Sequence, residues 1–382
     1  SDAGVAEIDP NGGGAGAQTA MASIAAGTSQ SAFLEFDPLG VGTTTVSVSI
    51  PDFITTTAAS QVVSVSGPGI TVSVSGSLGG GLQNGAYSGQ LGASGHGGVT
   101  VHLESGDPSR VLLAPNATTL GTSSLDLFVA NGSNTFSFFL QGTDWVSGTS
   151  SAGPVTITAS APGFSNGMGT ISYVQPALRV SGVPASTTSL STSTDFRVEI
   201  GIPSAGNANV AALQARRFGA GSLTATVVNS DAGVAEIDPN GGGAGAQIAT
   251  TSIAAGTSQS AFLEFDPLSV GTTTVSASIP DFITTTAGSP TATVSTPTIN
   301  LPGLSSVGSG LQTGTTTGQL GASAHGGVLV HLESSDPSRV LLAPSGTTAG
   351  SASIDVSVAN GQTAFSFVVQ GTDWVTGVSG AA

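Results

Sequence analysis

The sequence predicts an all-β protein, and three features of the chain support this prediction. Apolar residues alternate with Ser and Thr along most of the chain, which places one face of a strand in a core and the other in water. Gly, Pro, Asn and Asp interrupt these runs at intervals of about 8–15 residues, as turns between short strands do. The chain also contains a long internal repeat.

The alternating segments define the predicted strands in chain order. They lie at 70–75, 99–103, 125–129, 136–140, 155–157, 196–200 and 223–227. Ser and Thr occupy the outer faces of these strands, where most soluble proteins place Lys and Glu. Only the segment from Asn209 to Arg217 has a pattern that predicts a short helical turn.

The repeat is long and unbroken. Residues 1–153 recur as residues 230–382, at a constant offset of 229 and without insertion or deletion. About 70% of the paired positions are identical, and the differences concentrate between 61 and 88. Such a period is typical of proteins in which each unit contacts its neighbours along the chain, so it indicates an architectural role rather than catalysis.

A second, diverged copy of the same unit lies inside the 229-residue period and divides the period into alternating short and long units. Prolines at 68, 176 and 297 mark the junctions, because proline stiffens a linker and restricts the residue before it. Units of about 100 residues with about seven short strands are typical of immunoglobulin-like β-sandwiches. The predicted domains are the C-terminal part of a long unit (1–67), a complete short unit (68–175), a complete long unit (176–296) and the N-terminal part of a short unit (297–382).

Four segments carry a resemblance to a known class of protein. They are Leu332–Pro344, Ser353–Ala359, Phe365–Gly371 and the run Val-Thr-Ile-Thr-Ala-Ser-Ala-Pro-Gly-Phe at 155–164. Together they resemble the tandem immunoglobulin-like repeats of large bacterial extracellular and surface proteins, of the adhesin or fibre type. The resemblance implies fold and location more firmly than activity. The chain departs from many such proteins in having no Lys, and it lacks the Cys–Trp–Cys core of antibody domains.

The composition excludes several classes of function. A net charge of −16 disfavours nucleic acid, whose binding requires basic residues that neutralise phosphates. The absence of Cys excludes a disulfide framework, and the absence of Lys excludes a phosphate-binding P-loop. No apolar run reaches the roughly 18–20 residues that span a bilayer. The basic residues are six arginines: Arg110, Arg179, Arg197, Arg216, Arg217 and Arg339.

Two of the predicted domains are incomplete. Residues 1–67 lack counterparts of three strands at 178–227, and residues 298–382 lack counterparts of two strands at 154–174. Open sheet edges invite pairing with another chain. Either the sequence is part of a longer continuous polypeptide, or neighbouring chains supply the missing strands by β-augmentation. Both alternatives predict an assembly, and the expected partner is the chain itself, as a homopolymer.

Recurrent aspartates are the candidate metal ligands. Carboxylates and loop carbonyls at the ends of sandwiches suit calcium, a hard cation. The alternative is that each Asp caps a turn through its own side chain, as Asp-Pro and Ser-Asp contexts favour. The candidate calcium ligands are Asp107, Asp144, Asp336 and Asp373.

Histidine and tryptophan also recur in each short unit. They are His96 and His102 with their copies His325 and His331, and Trp145 with its copy Trp374. Two imidazoles on one face of a strand can contribute to a metal site, but no third ligand is evident, and a solvent-facing or packing role is the alternative. Each Trp either faces a sugar or another partner, or closes the end of a sandwich.

These observations predict a non-enzymatic extracellular or cell-surface structural protein. No Ser–His–Asp set with the spacing of a known enzyme is evident, and no cofactor is expected apart from the calcium considered above. Tandem sandwiches would build a filament, sheath or stalk. The alternatives are the repeat stalk of a bacterial surface adhesin and an array of carbohydrate-binding modules, with a glycan or cell-surface partner.

Overall fold

The computed structural model describes residues 2–10, 16–239 and 245–373. The all-β prediction is confirmed, because these residues form thirty-one strands and three short 3₁₀ turns. They fold as two compact units, Ser1–Val174 with Arg217–Gly219, and Gln175–Arg216 with Ala220–Ala382. Within the described residues, no helix is long and apolar enough to cross a membrane.

The first unit contains thirteen strands and one 3₁₀ turn, Thr57–Ala59. The strands are β1 (Ala6–Pro10), β2 (Leu34–Pro38), β3 (Gly42–Ser47), β4 (Ser60–Val65), β5 (Ile70–Ser73), β6 (Ser77–Gly79), β7 (Leu82–Leu91), β8 (Val99–Ser105), β9 (Val111–Ala114), β10 (Ser124–Val129), β11 (Thr135–Gly142), β12 (Gly153–Ser160) and β13 (Gly167–Val174).

Two sheets enclose the core of the first unit. One has the order β10-β8-β12-β13-β6, and the other has the order β5-β7-β11-β9. Their strand pairs are antiparallel except β6 with β13, which run parallel. Earlier in the chain, β1 pairs with β2 and β3 pairs with β4 as separate two-stranded sheets.

Alternation along the strands builds this core. β8 buries every second residue, so Val101 and Leu103 are fully enclosed while the side chains between them face outward. They belong to one cluster with Phe138, Ile157 and Tyr173, which are also fully buried. Complete burial of a large apolar side chain stabilises the fold by about 1.5–3 kcal/mol. The alternation of apolar and polar residues in the sequence therefore matches the alternation of buried and exposed residues along the strand.

A glycine on β7 leaves room in the core for an aromatic ring of β11. Gly89 lies directly opposite Phe136, and a Cβ at Gly89 would overlap the Phe136 ring. That ring stacks on Phe138 with centroids 6.4 Å apart. The second copy repeats the arrangement at Gly318 and Phe365.

Gly89→Ala is expected to lower the free energy of unfolding by about 1–3 kcal/mol, because the added methyl group displaces a packed ring. At a site without conflict, Gly→Ala stabilises by about 0.4–1 kcal/mol through the unfolded chain. Gly95→Ala is the matched control, since nothing lies within 4 Å of its added carbon. Chemical denaturation of both variants tests the expectation, and equal stability would contradict it.

The second unit contains eighteen strands and two 3₁₀ turns, Ala205–Asn207 and Thr286–Gly288. The strands are β14 (Ala177–Ser181), β15 (Ser186–Thr188), β16 (Thr194–Pro203), β17 (Val210–Leu213), β18 (Ala215–Arg216), β19 (Leu223–Asn229), β20 (Ala235–Pro239), β21 (Ile248–Ile253), β22 (Leu263–Pro267), β23 (Gly271–Ser278), β24 (Ile283–Thr284), β25 (Thr291–Ser295), β26 (Ile299–Asn300), β27 (Thr316–Leu320), β28 (Val328–Glu333), β29 (Val340–Ala343), β30 (Ser353–Val358) and β31 (Ala364–Gly371).

Four sheets organise these strands. The largest has the order β20-β22-β16-β14-β24, with β17 also paired to β16, and a second has the order β15-β25-β23-β19-β21. β15 runs parallel to β25, and β14 runs parallel to β24. Further along the chain, β26-β27-β31-β29 form a sheet and β28 pairs with β30.

The predicted helical turn between Asn209 and Arg217 is wrong. This segment forms β17 and β18. β17 adds to the edge of β16 with Leu213 opposite Gly201, and a Cβ at Gly201 would overlap the Ala212 carbonyl oxygen. Close backbone approach at a glycine thus decides a conformation that the Ala-rich local sequence leaves ambiguous.

No strand crosses the three prolines predicted as junctions. β4 ends before Pro68 and β5 follows it, while Pro176 and Pro297 likewise lie between strands. The division into four domains and the immunoglobulin-like topology stay predictions.

Candidate functional site

Two of the candidate calcium ligands close turns. Ser109 donates to Asp107 Oδ1 from its backbone nitrogen at 3.1 Å and from its hydroxyl at 2.5 Å, and Arg110 Nε donates to Oδ2 at 2.6 Å. The hydrogen bonds from Ser109, followed by those from Arg110, lower the pKa of Asp107. Asp336 repeats this turn with Ser338 and with Arg339, whose Nε lies 3.3 Å away.

The other two candidates lie beside these turns. Backbone nitrogens of Thr143 and Thr372 donate to the carbonyls of the turn arginines, which places Asp144 and Asp373 one residue away. Asp144 also lies 3.4 Å from Arg217. Among residues 2–10, 16–239 and 245–373, no three acidic or histidine side chains converge closely enough to hold a metal ion. Calcium at these four aspartates stays a prediction, which a melting curve with and without chelator tests.

Each histidine has its own local partner. His96 Nε2 lies 2.9 Å from the Ser133 carbonyl oxygen, and the ring packs edge-on against Phe164. His102 Nδ1 lies 2.6 Å from Asp126 on the neighbouring strand. His325 and His331 repeat the polar contacts with the Gln362 carbonyl and with Asp355.

Trp145 packs onto the core of the first unit. Its ring stacks on that of the buried Tyr173 with centroids 5.4 Å apart. Tyr173 in turn donates its hydroxyl to the Thr143 carbonyl oxygen. Trp374, its copy, lies outside the described residues.

The repeat places the same sequence in two different environments. Phe36 and Ile50 are 37% and 41% exposed, whereas their copies Phe265 and Ile279 are 0% and 4% exposed. Leu34 shows the same contrast with its copy Leu263, and Val48 is exposed whereas the alanine at its position in the second unit, Ala277, is buried. We call the exposed set Leu34, Phe36, Val48 and Ile50 the acceptor face.

Three strands cover the corresponding residues in the second unit. β16 pairs with β22 and places the buried Phe196 opposite Leu263, while β19 pairs with β23 and places Val227 opposite Ala277. β14 adjoins β16 in the same sheet. The acceptor face therefore consists of the positions that the segment 177–229 covers in the second unit.

A second apolar surface lies in the second unit. A cavity of about 260 Å³ is lined by residues that include Ile299, Leu320, Val328 and Val330. In the first unit, the copies of these four residues share one core with β12 and β13 side chains such as Ile157 and Ile171. The cavity therefore lies at the position that β12 and β13 cover in the first unit. We call it the acceptor cavity.

An acidic surface that was not predicted from the sequence lies on β20 and β22. Glu236 lies directly opposite Asp266, and Asp238 directly opposite Glu264, on the outer face of β20 and β22. Desolvation raises the pKa of Asp238 and of Asp266, and neighbouring carboxylates raise both further. Like charges directly opposite across a strand pair are destabilising. We call these four residues, with their copies Glu7, Asp9, Glu35 and Asp37, the acidic face.

A sequence signal for this surface exists. Both strands carry a carboxylate, an apolar residue, an aspartate and a proline, as Glu-Ile-Asp-Pro at 236–239 and Glu-Phe-Asp-Pro at 264–267. Spacing by two puts each pair on one face of its strand. The register that sets the two strands opposite each other comes from the fold.

Comparisons with known proteins give little beyond the all-β class. No protein-family profile matches the sequence, and no curated protein matches it. Similar solved structures include the adhesin InvE of Yersinia pseudotuberculosis, at 15% identity over 59% of this chain and 58% of that chain, with a TM-score of 0.23. A second is a tetra-tandem repeat in the extending region of a large adhesion protein, at 15% identity over 98% of this chain and 84% of that chain, with a TM-score of 0.20. A third is Escherichia coli alpha-2-macroglobulin, at 10% identity over 83% of this chain and 31% of that chain, with a TM-score of 0.18. TM-scores this low carry no argument about function, and the chain covers little more than half of the Yersinia adhesin.

Proposed function

We propose that this chain is a non-enzymatic extracellular structural protein whose repeated β-sandwiches associate with further units of the same kind into a filament, sheath or stalk. The observation that carries the proposal is the acceptor face. Leu34, Phe36 and Ile50 recur in the second unit and Ala277 takes the place of Val48, and there β14, β16 and β19 bury all four positions.

The energetics favour covering this face. Burying a fully exposed large apolar side chain contributes about 1.5–3 kcal/mol, and these four side chains are 37–61% exposed, so covering them gains only part of that amount. Strand pairing must add to this gain to outweigh the entropy lost when a short segment becomes ordered. The open edges of β2 and β3 supply unpaired backbone groups for that pairing. Addition of a strand to an open edge is a recognised binding mode.

The outer surface suits close lateral contact. Charged residues make up 7% of the chain, and its strands carry Ser and Thr on their outer faces. Small hydroxyl groups lose less solvation on association than Lys or Glu do. A repeated unit of this composition therefore loses little solvation when it packs beside a copy.

Sedimentation and negative-stain microscopy of the purified chain test the proposal. We expect wild type to form concentration-dependent oligomers or filaments, and Leu34→Asp with Phe36→Asp to reduce them strongly. Phe128→Asp is the matched control, because Phe128 is 73% exposed on β10 and lies outside the acceptor face. A wild-type chain that stays monomeric at all concentrations would overturn the proposal. Isolated flexible strings would instead favour the adhesin-stalk alternative.

A further inference from the structure

We propose that the acceptor cavity of the second unit binds a β-hairpin with the sequence pattern of residues 153–174, the segment that forms β12 and β13 in the first unit. We call this segment the donor hairpin, and its source is a further repeat of the same protein. The inference rests on the proposed association of the chain with units of its own kind. It adds which surface receives the donated strands and what chemistry those strands must have.

Two apolar residues on and beside β26 are exposed although their copies are buried. Ile299 is 63% exposed and Leu301 is 46% exposed, whereas Ile70 and Val72 are 6% and 7% exposed. In the first unit, Ile70 and Val72 share one core cluster with side chains of β12 and β13. The donor hairpin would remove the corresponding two side chains from water in the second unit.

β28 offers an open edge to the first strand of the hairpin. In the first unit, β8 lies between β10 and β12, and β12 places Ile157 opposite Ser105 and Ala159 opposite Leu103. In the part of the second unit that the structure describes, β28 pairs with β30, the copy of β10, and with no strand on its other side. Backbone groups along such an edge are those to which an added strand pairs.

Two glycines define the chemistry of the second strand of the hairpin. A Cβ at Gly167 would overlap the Ile70 carbonyl oxygen, and a Cβ at Gly169 would lie 2.9 Å from the Val72 carbonyl oxygen. β13 therefore approaches β5 so closely that glycine is required at these alternate positions. A strand that docks on β26 in the same way must also carry glycine at both positions.

The receiving backbone is already in place in the second unit. β5 pairs with β7 so that Ile70 lies opposite Leu91, and β26 pairs with β27 in the same register, so that Ile299 lies opposite Leu320. In the first unit, the Ile70 nitrogen also donates to the Ser165 carbonyl oxygen, between β12 and β13, at 3.0 Å. Ile299 is placed to make the same bond to a donor hairpin.

A histidine is positioned to receive the turn of the hairpin. In the first unit, the His96 ring packs edge-on against Phe164, which lies between β12 and β13, with ring centroids 6.0 Å apart. His325 lines the acceptor cavity, and its Nε2 lies 2.9 Å from the Gln362 carbonyl oxygen, as His96 Nε2 lies 2.9 Å from that of Ser133. The two rings are thus held alike, so the turn of the donor is expected to carry an aromatic residue.

Fluorescence anisotropy of a labelled synthetic peptide of residues 153–174, titrated with the full chain, tests the proposal. We expect saturable binding of one peptide per chain. The same peptide with Gly167→Val and Gly169→Val is the matched control and is expected to bind at least about tenfold more weakly, because its added side chains collide with the receiving backbone. Absence of binding, or equal affinity of the two peptides, would overturn the proposal.

Variants of the chain locate the binding site. Ile299→Asp with Leu301→Asp changes two exposed residues and is expected to weaken peptide binding at least about tenfold, because it places charges against the apolar donor. Phe128→Asp, at an exposed position on β10, is the control and binds as wild type does. Leu34→Asp with Phe36→Asp, which is expected to reduce self-association, keeps peptide binding. Oligomers of a wild-type chain that does not bind the peptide would overturn this inference and leave the proposed function standing.

Hydrogen exchange gives a second readout with an internal control. The peptide is expected to slow exchange at Ile299 and at the amides along the open edge of β28. It is expected to leave Ile70 and β8 unchanged, because β12 and β13 already cover them. Protection that appears equally in both copies, or in neither, would rule out the acceptor cavity as the docking site.

Discussion

Phe265→Ala is expected to lower the free energy of unfolding of the second unit by about 3–5 kcal/mol. Phe265 is fully buried on β22, directly opposite Thr194 of β16 and Ile237 of β20. Truncation removes the transfer free energy of the ring and leaves a cavity that the surrounding strands close only in part. Differential scanning calorimetry of the full chain measures the effect.

The repeat supplies the matched control. Phe36→Ala makes the same chemical change at the same position of the other copy, where the ring is 37% exposed. We expect a loss of at most about 1 kcal/mol from this variant, because the ring already contacts water. Equal losses from both variants would show that the acceptor face is covered in solution, which would be consistent with self-association.

Glu199→Ala is expected to destabilise the second unit by about 3 kcal/mol. The Glu199 side chain is 3% exposed and binds two arginines, with Arg179 at 2.7 Å and Arg197 at 3.1 Å. Gln259 donates to it as well, at 3.0 Å. Removal of the carboxylate leaves two guanidinium groups without their countercharge. Each of these groups is about 30% exposed, so hydration limits the loss.

Arg339→Ala is the control for an ion pair in water. Arg339 and Asp336 are each 51% exposed, and exposed pairs contribute at most about 1 kcal/mol. Urea denaturation of both variants, at low and at high salt, separates the two cases. A loss from Glu199→Ala that is as small as that from Arg339→Ala would contradict the assigned role of Glu199.

The fold class was predictable from local pattern. The alternation that encloses Val101 and Leu103 is visible in the sequence, because Ser and Thr mark the outer face so consistently. The segment 209–217 was not predictable in this way. Its Ala-rich pattern fits a helix, and only pairing with β16 beside Gly201 makes it a strand.

The candidate sites, too, were predictable only where their residues lie close together in the sequence. Asp107 was recognisable because its Asp-Pro-Ser-Arg context is continuous in sequence, and the turn that it closes is local. The acidic face depends on Asp238 lying opposite Glu264, and the Glu199 cluster joins residues from β14, β16 and the segment before β22. The runs Glu-Ile-Asp-Pro and Glu-Phe-Asp-Pro mark the two strands of the acidic face in the sequence, but only strand register sets them opposite each other. Tertiary pairing alone assembles the Glu199 cluster.

The parallel pairing of β6 with β13, and of β15 with β25, bears on how the protein responds to mechanical tension. In each pair, one strand lies early in its stretch of chain and the other lies late. A pull along the polypeptide therefore drags the two strands in opposite directions and loads their hydrogen bonds in shear, all at once rather than one after another. Such a geometry is expected to resist stretching up to a threshold force and then to unfold abruptly. This property would suit a filament that carries mechanical load.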